Sequence, residues 1–143
     1  MRRFLLDTSI IAAYLNNRPQ AVQIVQPWIQ RREAATSILV YGEVIEYLKG
    51  VPNYLQRRRQ WRELLTETYP YFLTYSILER YSDIRRQLRP PQGPGLIGDI
   101  DTLVAATALE RKLTVVTTDG DYQRVPSLQV MLVSFKKKGS IRS

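Results

Sequence analysis

Short apolar runs that stop at acids and hydroxyls are the most informative pattern along this chain. The run Phe4–Leu6 leads directly into Asp7, Thr8 and Ser9, and apolar residues resume at Ile10. An apolar run that ends at turn-forming residues predicts a buried strand followed by the cap of a helix. Asp7 is therefore expected at the carboxyl end of a strand, where open α/β sheets place their ligands. The competing interpretation is that one of these polar residues only caps the helix that follows.

A second stretch, residues 113–119, repeats this pattern with a β-branched run that ends in Thr117, Thr118 and Asp119. Parallel strands bring their carboxyl ends to the same edge of a sheet. We therefore expect Asp7 and Asp119 to lie near each other, which favours a shared site over simple capping of a helix by Asp7.

Helical and extended patterns alternate over the rest of the chain, without an internal repeat or an interdomain linker. Helices are predicted over residues 8–15, 19–32, 38–49, 54–66 and 97–108, and a further helix is predicted to begin after a cap at Ser76. Pro27 is expected to kink or divide the helix over 19–32. Strands are predicted over 4–6, 34–37, 71–74, 113–117 and 128–133. This alternation predicts an α/β sandwich around a mostly parallel sheet. We expect one domain over residues 1–135, followed by a basic tail over residues 136–143.

The amino-acid composition excludes several kinds of active site. The 143 residues include no cysteine and no histidine. Disulfides, thiolate metal sites, histidine-ligated zinc and Ser-His-Asp triads are therefore impossible. Any hydrolysis must use carboxylates, hydroxyls, Lys, Arg, Tyr or a metal held by oxygen ligands.

The charge balance favours a polyanionic partner. The chain has 21 Lys and Arg against 13 Asp and Glu, a formal net charge of +8, and a strongly basic domain is a fair candidate for binding a polyanion. The fourth predicted helix carries a dense basic cluster, Arg57, Arg58, Arg59 and Arg62, interleaved with Tyr54 and Trp61. A solvated basic face without a ligand is the alternative interpretation.

The sequence does not indicate a membrane protein. Asp7 interrupts the apolar region that follows Arg2 and Arg3, and no run approaches the ~18–20 apolar residues of a membrane span. We expect a cytoplasmic, soluble protein with no membrane partner.

Clustered acids in so basic a protein imply a cation. Two like unit charges ~4 Å apart repel by roughly 4 kcal/mol at an effective dielectric of 20. Convergent carboxylates therefore need a bound metal or a cationic partner. Hard divalent cations such as Mg²⁺ take oxygen ligands, usually a few carboxylates and waters.

Four acidic elements, taken together and in order, resemble a PIN-domain ribonuclease, and more narrowly the VapC toxins of bacterial and archaeal toxin–antitoxin pairs. They are a strand followed by Asp7-Thr8-Ser9, Glu43 on a helix, Asp101 within Asp-x-x-Val-Ala-Ala-x-Ala, and Thr117-x-Asp119 followed by Asp121-Tyr122. The resemblance extends from Phe4 to about Val133, nearly the whole chain. It implies a three-layer α/β/α sandwich and an endonuclease that cleaves RNA phosphodiester bonds with Mg²⁺ or Mn²⁺. It also implies a homodimer and a small antitoxin protein as partner.

The resemblance implies roles for individual residues as well. The family's catalytic, metal-holding acids are matched by Asp7, Glu43, Asp101 and Asp119, and its accompanying hydroxyls by Thr8 or Ser9 and by Thr117. Basic residues would contact the RNA phosphates, and the candidates for this role are Arg57, Arg58, Arg59 and Arg62.

Some of these assignments have a close competitor. Glu46 lies one helical turn beyond Glu43 and is equally free of the predicted apolar stripe, so periodicity does not choose between them. Asp99 is better interpreted as a helix cap, about 200° away from Asp101 if both are helical. Tyr122 stands where the family often has Phe, and no catalytic consequence is expected from this difference.

Two other functions fit parts of the sequence. A non-catalytic RNA-binding or interaction module on the same fold would explain the positive charge but not the clustered acids. A haloacid-dehalogenase-like phosphohydrolase would explain Asp99-x-Asp101-Thr102. Its nucleophile motif, however, needs a hydrophobic strand directly before it, and residues 93–98 are a poor strand.

Overall fold

The computed structural model of the protein describes residues 1–135. The expected basic tail over residues 136–143 lies outside the described residues, and the domain boundary at 135 stays a prediction. Helices and strands alternate as follows: β1 Phe4–Leu6, α1 Thr8–Leu15, α2 Pro19–Gln30, β2 Ala34–Ser37, α3 Ile38–Leu48, α4 Tyr54–Glu67, β3 Tyr69–Tyr71, α5 Tyr75–Leu88, α6 Asp99–Arg111, β4 Thr114–Thr117 and β5 Val130–Leu132. A 3₁₀ helix, Gly120–Arg124, lies between β4 and β5.

The sheet has five strands in the order β3-β2-β1-β4-β5, and every pair is parallel. The strand order reverses at β1, because the chain continues to β2 and β3 on one side and adds β4 and β5 on the other. Such a switch point is where open α/β sheets bind ligands, in the crevice at the carboxyl ends of the strands. Leu6 pairs with Val116 in the register of β1 and β4. Asp7 and Thr117, the next residues in this register, therefore lie side by side at the carboxyl ends of the two strands.

The core explains why these short apolar runs become strands. Leu5, Leu6, Val115 and Val116 are all completely buried, as expected for strands of a parallel sheet that is covered by helices on both faces. Helix α5 packs on α6, and α1 packs on α2, α3 and α4. The predicted three-layer α/β/α sandwich is confirmed. Within residues 1–135, no helix is long and apolar enough to cross a membrane.

Several predicted boundaries were wrong. The second helix ends at Gln30 and continues through Pro27 without a break. The Pro27 carbonyl accepts the Arg31 N–H at 3.0 Å, so helical hydrogen bonding is present after the proline. The last strand is shorter than predicted, Val130–Leu132.

The third strand and the helix after it are also shifted from their predicted positions. The strand is Tyr69–Tyr71, not 71–74, and the helix cap is Thr74 instead of Ser76. The Thr74 hydroxyl oxygen accepts the Ile77 N–H at 3.2 Å, which starts α5 earlier and leaves no room for the strand to continue.

Candidate active site

Asp7 lies at the end of β1 and is almost completely buried, with 7% of its surface exposed. Its Oδ1 accepts hydrogen bonds from the Ser9 N–H at 3.0 Å, the Ser9 hydroxyl at 2.6 Å and the Ile10 N–H at 3.3 Å. Asp7 is thus the N-cap of α1, as the competing interpretation held. Capping uses Oδ1, however, and leaves Oδ2 to face the end of β4.

Thr117 connects the ends of the two central strands. Its hydroxyl donates to Asp7 Oδ2 at 2.5 Å and accepts the Asp119 N–H at 3.0 Å. One buried hydroxyl therefore fixes both the side chain of the first acid and the backbone of the last. The Ser9 hydroxyl oxygen adds a second tie, because it accepts the Thr118 N–H at 3.2 Å.

Glu43 reaches the site from α3, the helix that Ser37 caps. The Thr8 hydroxyl donates to Glu43 Oε1 at 2.5 Å, so the first residue of α1 holds this carboxylate beside Asp7. Glu46, one turn further along α3, is exposed. The structure therefore brings Glu43 to the site, a choice that periodicity left open.

Asp101 lies in the first turn of α6 and is partly buried. Its Oδ1 accepts a hydrogen bond from the hydroxyl of Tyr122 at 3.0 Å.

Asp99 contacts a different set of residues: its Oδ1 lies 2.8 Å from Arg85 Nη1 and 3.1 Å from the Tyr81 hydroxyl. The expectation that Asp99 caps the helix was wrong, since Gly98 occupies the N-cap position. The two acids nevertheless have separate partners.

Asp119 follows β4 and caps the 3₁₀ helix. Its Oδ1 accepts the Asp121 N–H at 2.9 Å. Asp121 itself forms an ion pair with Arg124 at 3.4 Å, so its charge has a cationic partner within the same short helix. This short helix therefore fixes the position of Asp119 and also carries Tyr122 back towards α6.

The charges of the other three acids act on Asp101. Burial raises the pKa of Asp101; its hydrogen bond from Tyr122 opposes this effect, and the nearby charges of Asp119, Glu43 and Asp7 raise the pKa further. Burial also raises the pKa of Asp7, against the hydrogen bonds that it accepts. Holding negative charge at this site therefore costs free energy, and a cation would relieve that cost.

The donor set fits a hard divalent cation. Asp7, Glu43, Asp101 and Asp119 offer only oxygen atoms. Hydroxyls or a backbone N–H hold one oxygen of Glu43, Asp101 and Asp119 in place, and both oxygens of Asp7. Among the described residues, no three acids are grouped closely enough to ligate one ion directly. Mg²⁺ does not require this, because it keeps several waters and commonly binds through one or two carboxylates.

The basic helix α4 divides its arginines between two surroundings. Arg58, Arg59 and Arg62 line a surface cavity of about 410 Å³, together with Leu55, Glu63 and Thr66. Arg57 instead contacts the end of α1: its Nη2 donates to the Leu15 carbonyl at 3.1 Å and to Asn16 Oδ1 at 2.6 Å. Of the predicted RNA-binding arginines, the structure brings three together and uses Arg57 within the fold.

Sequence reasoning missed the part that Tyr122 plays in this site. The side chain is 1% exposed, and its hydroxyl contacts Asp101, 21 residues earlier in the chain. A visible signal existed, namely a tyrosine at a position where the resembling family often has phenylalanine.

Comparison with known proteins identifies the family of this chain. The family model of the PIN domain matches residues 4–128. The chain belongs to the PIN-domain family. Over 132 residues, this PIN-domain protein is 30% identical to Ribonuclease VapC1 of Haemophilus influenzae (strain R2866), a match that covers 88% of this chain and 94% of the relative.

Solved structures share the fold of this PIN domain. VapBC2 from Rickettsia felis, bound to a DNA fragment from its promoter, superposes with a TM-score of 0.79 at 20% identity, covering 92% of this chain and 98% of the other. VapBC-1 from nontypeable Haemophilus influenzae superposes with a TM-score of 0.72 at 25% identity, covering 90% and 96%. The predicted family and fold are both confirmed.

Proposed function

We propose that this PIN-domain protein is an endoribonuclease that uses Mg²⁺ or Mn²⁺ to cleave RNA phosphodiester bonds, and that it is the toxin of a VapBC-type toxin–antitoxin pair. The observation that carries the proposal is the acidic site at the switch point of the sheet. There the charges of Asp119, Glu43 and Asp7 raise the pKa of Asp101. The identity to a relative named as a ribonuclease supports the same activity.

The residues of the site have distinct tasks in this proposal. A bound divalent cation would supply an activated water and stabilise the charge that develops on the phosphate. Asp7, Glu43, Asp101 and Asp119 would hold the cation. Hydroxyl groups preorganise two of these acids before any ligand binds, since Thr117 and Ser9 fix Asp7 while Thr8 fixes Glu43.

Removal of divalent metal is the direct test of this activity. Cleavage of a single-stranded RNA should require Mg²⁺ or Mn²⁺, fall by at least about 100-fold with EDTA, and return when Mn²⁺ is added in excess, because the metal supplies several kcal/mol of barrier lowering. Gel analysis of end-labelled RNA measures the rate, and circular dichroism in EDTA verifies that the fold persists. Cleavage that survives thorough chelation would contradict the proposed chemistry.

We also propose that the arginine cavity on α4 contacts RNA phosphates. Changing Arg58, Arg59 and Arg62 together to Gln should weaken RNA binding and flatten its salt dependence. The slope of log K against log salt should fall by about 0.7 for each phosphate of a single strand that the variant no longer neutralises. Fluorescence anisotropy of labelled RNA, over a series of salt concentrations and on metal-free protein, measures both quantities.

A matched control removes three positive charges elsewhere. Arg32, Arg111 and Lys112 are exposed residues that precede β2 and β4, and none of them lines the cavity on α4. Their triple change to Gln should alter the salt slope less than the change on α4. If the two triple variants had equal effects, the α4 arginines would contribute to RNA binding only through the net charge of the protein.

The partners follow from the same proposal. We propose a homodimer, and a small antitoxin that covers the acidic site with an Arg or Lys side chain. Metal and antitoxin would then weaken each other's binding by the same factor. Antitoxin affinity measured with and without saturating Mn²⁺ tests this occlusion, and an unchanged affinity would argue against it.

Sedimentation velocity of the free protein tests the dimer, which a monomer at high concentration would disprove.

The two rival functions are weaker. The haloacid-dehalogenase-like motif lacks its strand, because residues 95–98 are irregular and Asp99 begins a helix. A purely RNA-binding module has no use for three acids placed around Asp101, where their charges raise its pKa. An RNA that stays intact with and without Mg²⁺ would favour that module.

A further inference from the structure

Tyr122 has an unusual position for a core aromatic residue. It is among the largest fully buried side chains of the described residues, yet its hydroxyl lies at the acidic site and donates to Asp101 Oδ1 at 3.0 Å. Its ring packs in the core while its polar end points to the functional groups. A phenylalanine would fill the same apolar space, so the hydroxyl needs an explanation beyond packing.

The surroundings restrict this hydroxyl to donating. A phenol carries its single proton at neutral pH, since its ordinary pKa is about 10. The carboxylate oxygen that it contacts can only accept. Asp101 Oδ1 therefore has a constant hydrogen-bond donor.

The geometry shows what that donor fixes. The terminal torsion of an aspartate is broad and poorly restricted by its own rotamer preferences, and Asp101 lies in the first turn of α6, where it is only partly buried. A hydrogen bond from a rigid, buried ring restricts this rotation. It engages Oδ1, and Oδ2 is then the oxygen that Asp101 presents to a ligand.

The same contact joins two elements of the site. Tyr122 belongs to the 3₁₀ helix that Asp119 caps, whereas Asp101 belongs to α6. The hydroxyl thus links the acid after β4 to the acid on α6, much as Thr117 links Asp119 to Asp7.

We infer that Tyr122 is a positioning residue of this site: its hydroxyl holds the Asp101 carboxylate in the orientation that binds the divalent cation. The inference rests on the proposed function and deepens it. Groups that hydrogen-bond to a metal ligand without contacting the metal typically contribute about 10- to 100-fold to metal affinity. The loss of this hydroxyl should therefore weaken metal binding about 10-fold.

Direct Mn²⁺ titration tests the inference without reference to cleavage. The full-length, metal-free protein is titrated with Mn²⁺, and free Mn²⁺ is measured by its paramagnetic resonance signal. Tyr122→Phe removes only the hydroxyl and should raise the Mn²⁺ dissociation constant about 10-fold, whereas cleavage by this variant should largely recover at saturating Mn²⁺. Tyr75→Phe removes a hydroxyl from a side chain that is 88% exposed and should leave the dissociation constant unchanged.

The outcomes separate the inference from the proposed function. Thermal melting first establishes that each variant is folded at the temperature of the titration. If wild-type protein binds Mn²⁺, Asp101→Asn loses binding and Tyr122→Phe binds as tightly as wild type, the positioning role is overturned and the proposed function stands. If wild-type protein does not bind Mn²⁺, the proposed function and the inference fail together.

Discussion

Asp101→Asn is expected to abolish RNA cleavage and, in the same protein, to raise the melting temperature measured without divalent metal. The loss of activity should be at least about 10³-fold, since an amide cannot supply the charge that the site offers to a cation and its substrate. The variant keeps an oxygen that can accept the Tyr122 hydroxyl, so the local geometry should persist. Single-turnover cleavage with excess protein measures the effect.

The gain in stability has a defined dependence on pH. The pKa of Asp101 is raised in the folded protein, first by burial and then by its acidic neighbours. The folded state therefore holds this proton more tightly than the unfolded state, and ionised Asp101 destabilises the fold as pH rises through the folded pKa. Asn removes this cost. The difference in melting temperature should be largest at neutral and alkaline pH and vanish below the ordinary aspartate pKa of about 3.9.

Asp99→Asn is the matched control for this variant. Asp99 lies two residues away on the same helix but is held by Arg85 and Tyr81, so its replacement should leave cleavage largely unchanged. If Asp99→Asn were inactive and Asp101→Asn active, the assignment of the acid on α6 would be wrong. A melting temperature for Asp101→Asn below that of wild type at every pH would contradict the electrostatic account.

The centre of the sheet could be predicted from the sequence because its signals are local. Each apolar run stops at a polar residue that both ends a strand and enters the site, as at Asp7 and at Thr117. Parallel strands share the edge at their carboxyl ends, so these positions could be expected on one edge; the direct pairing of β1 with β4 is a tertiary result that the structure supplies.

The choice between Glu43 and Glu46 could not be predicted in the same way. Both lie off the apolar stripe of α3, so their periodicity is equivalent. The decision is tertiary, because the Thr8 hydroxyl at the start of α1 meets Glu43. Arg57 illustrates the same limit: composition counts it with the basic face, but the end of α1 provides its hydrogen-bond partners.

Element boundaries failed where two residues had the same capacity to cap. Thr74 and Ser76 both carry hydroxyls suited to an N-cap, and only the packed structure selects Thr74. The role of Tyr122 is hidden in the sequence for another reason. Tyr and Phe are equivalent in a pattern of apolar positions, and the partner of the hydroxyl is supplied by a helix that lies elsewhere in the sequence.

Thr117→Val should damage both stability and activity, because its hydroxyl serves two groups at once. Valine keeps the shape of threonine but leaves Asp7 Oδ2 without its donor and the Asp119 N–H without its acceptor. Unsatisfied buried groups of this kind cost about 1–3 kcal/mol, which should lower the melting temperature by several degrees. Cleavage should fall by about 10- to 100-fold, since both acids lose the group that orients them.

Two variants isolate the hydroxyl as the cause. Thr117→Ser keeps the hydroxyl and should retain most of the activity. Thr107→Val removes an equally buried hydroxyl, which donates at 2.9 Å only to the Leu103 carbonyl of its own helix. Because that carbonyl keeps its helical environment, Thr107→Val should affect cleavage little. Melting curves and single-turnover rates of the three variants test the role of the Thr117 hydroxyl. If Thr117→Val cleaved RNA as fast as Thr107→Val, the acids at the ends of β1 and β4 would not depend on this hydroxyl for their alignment.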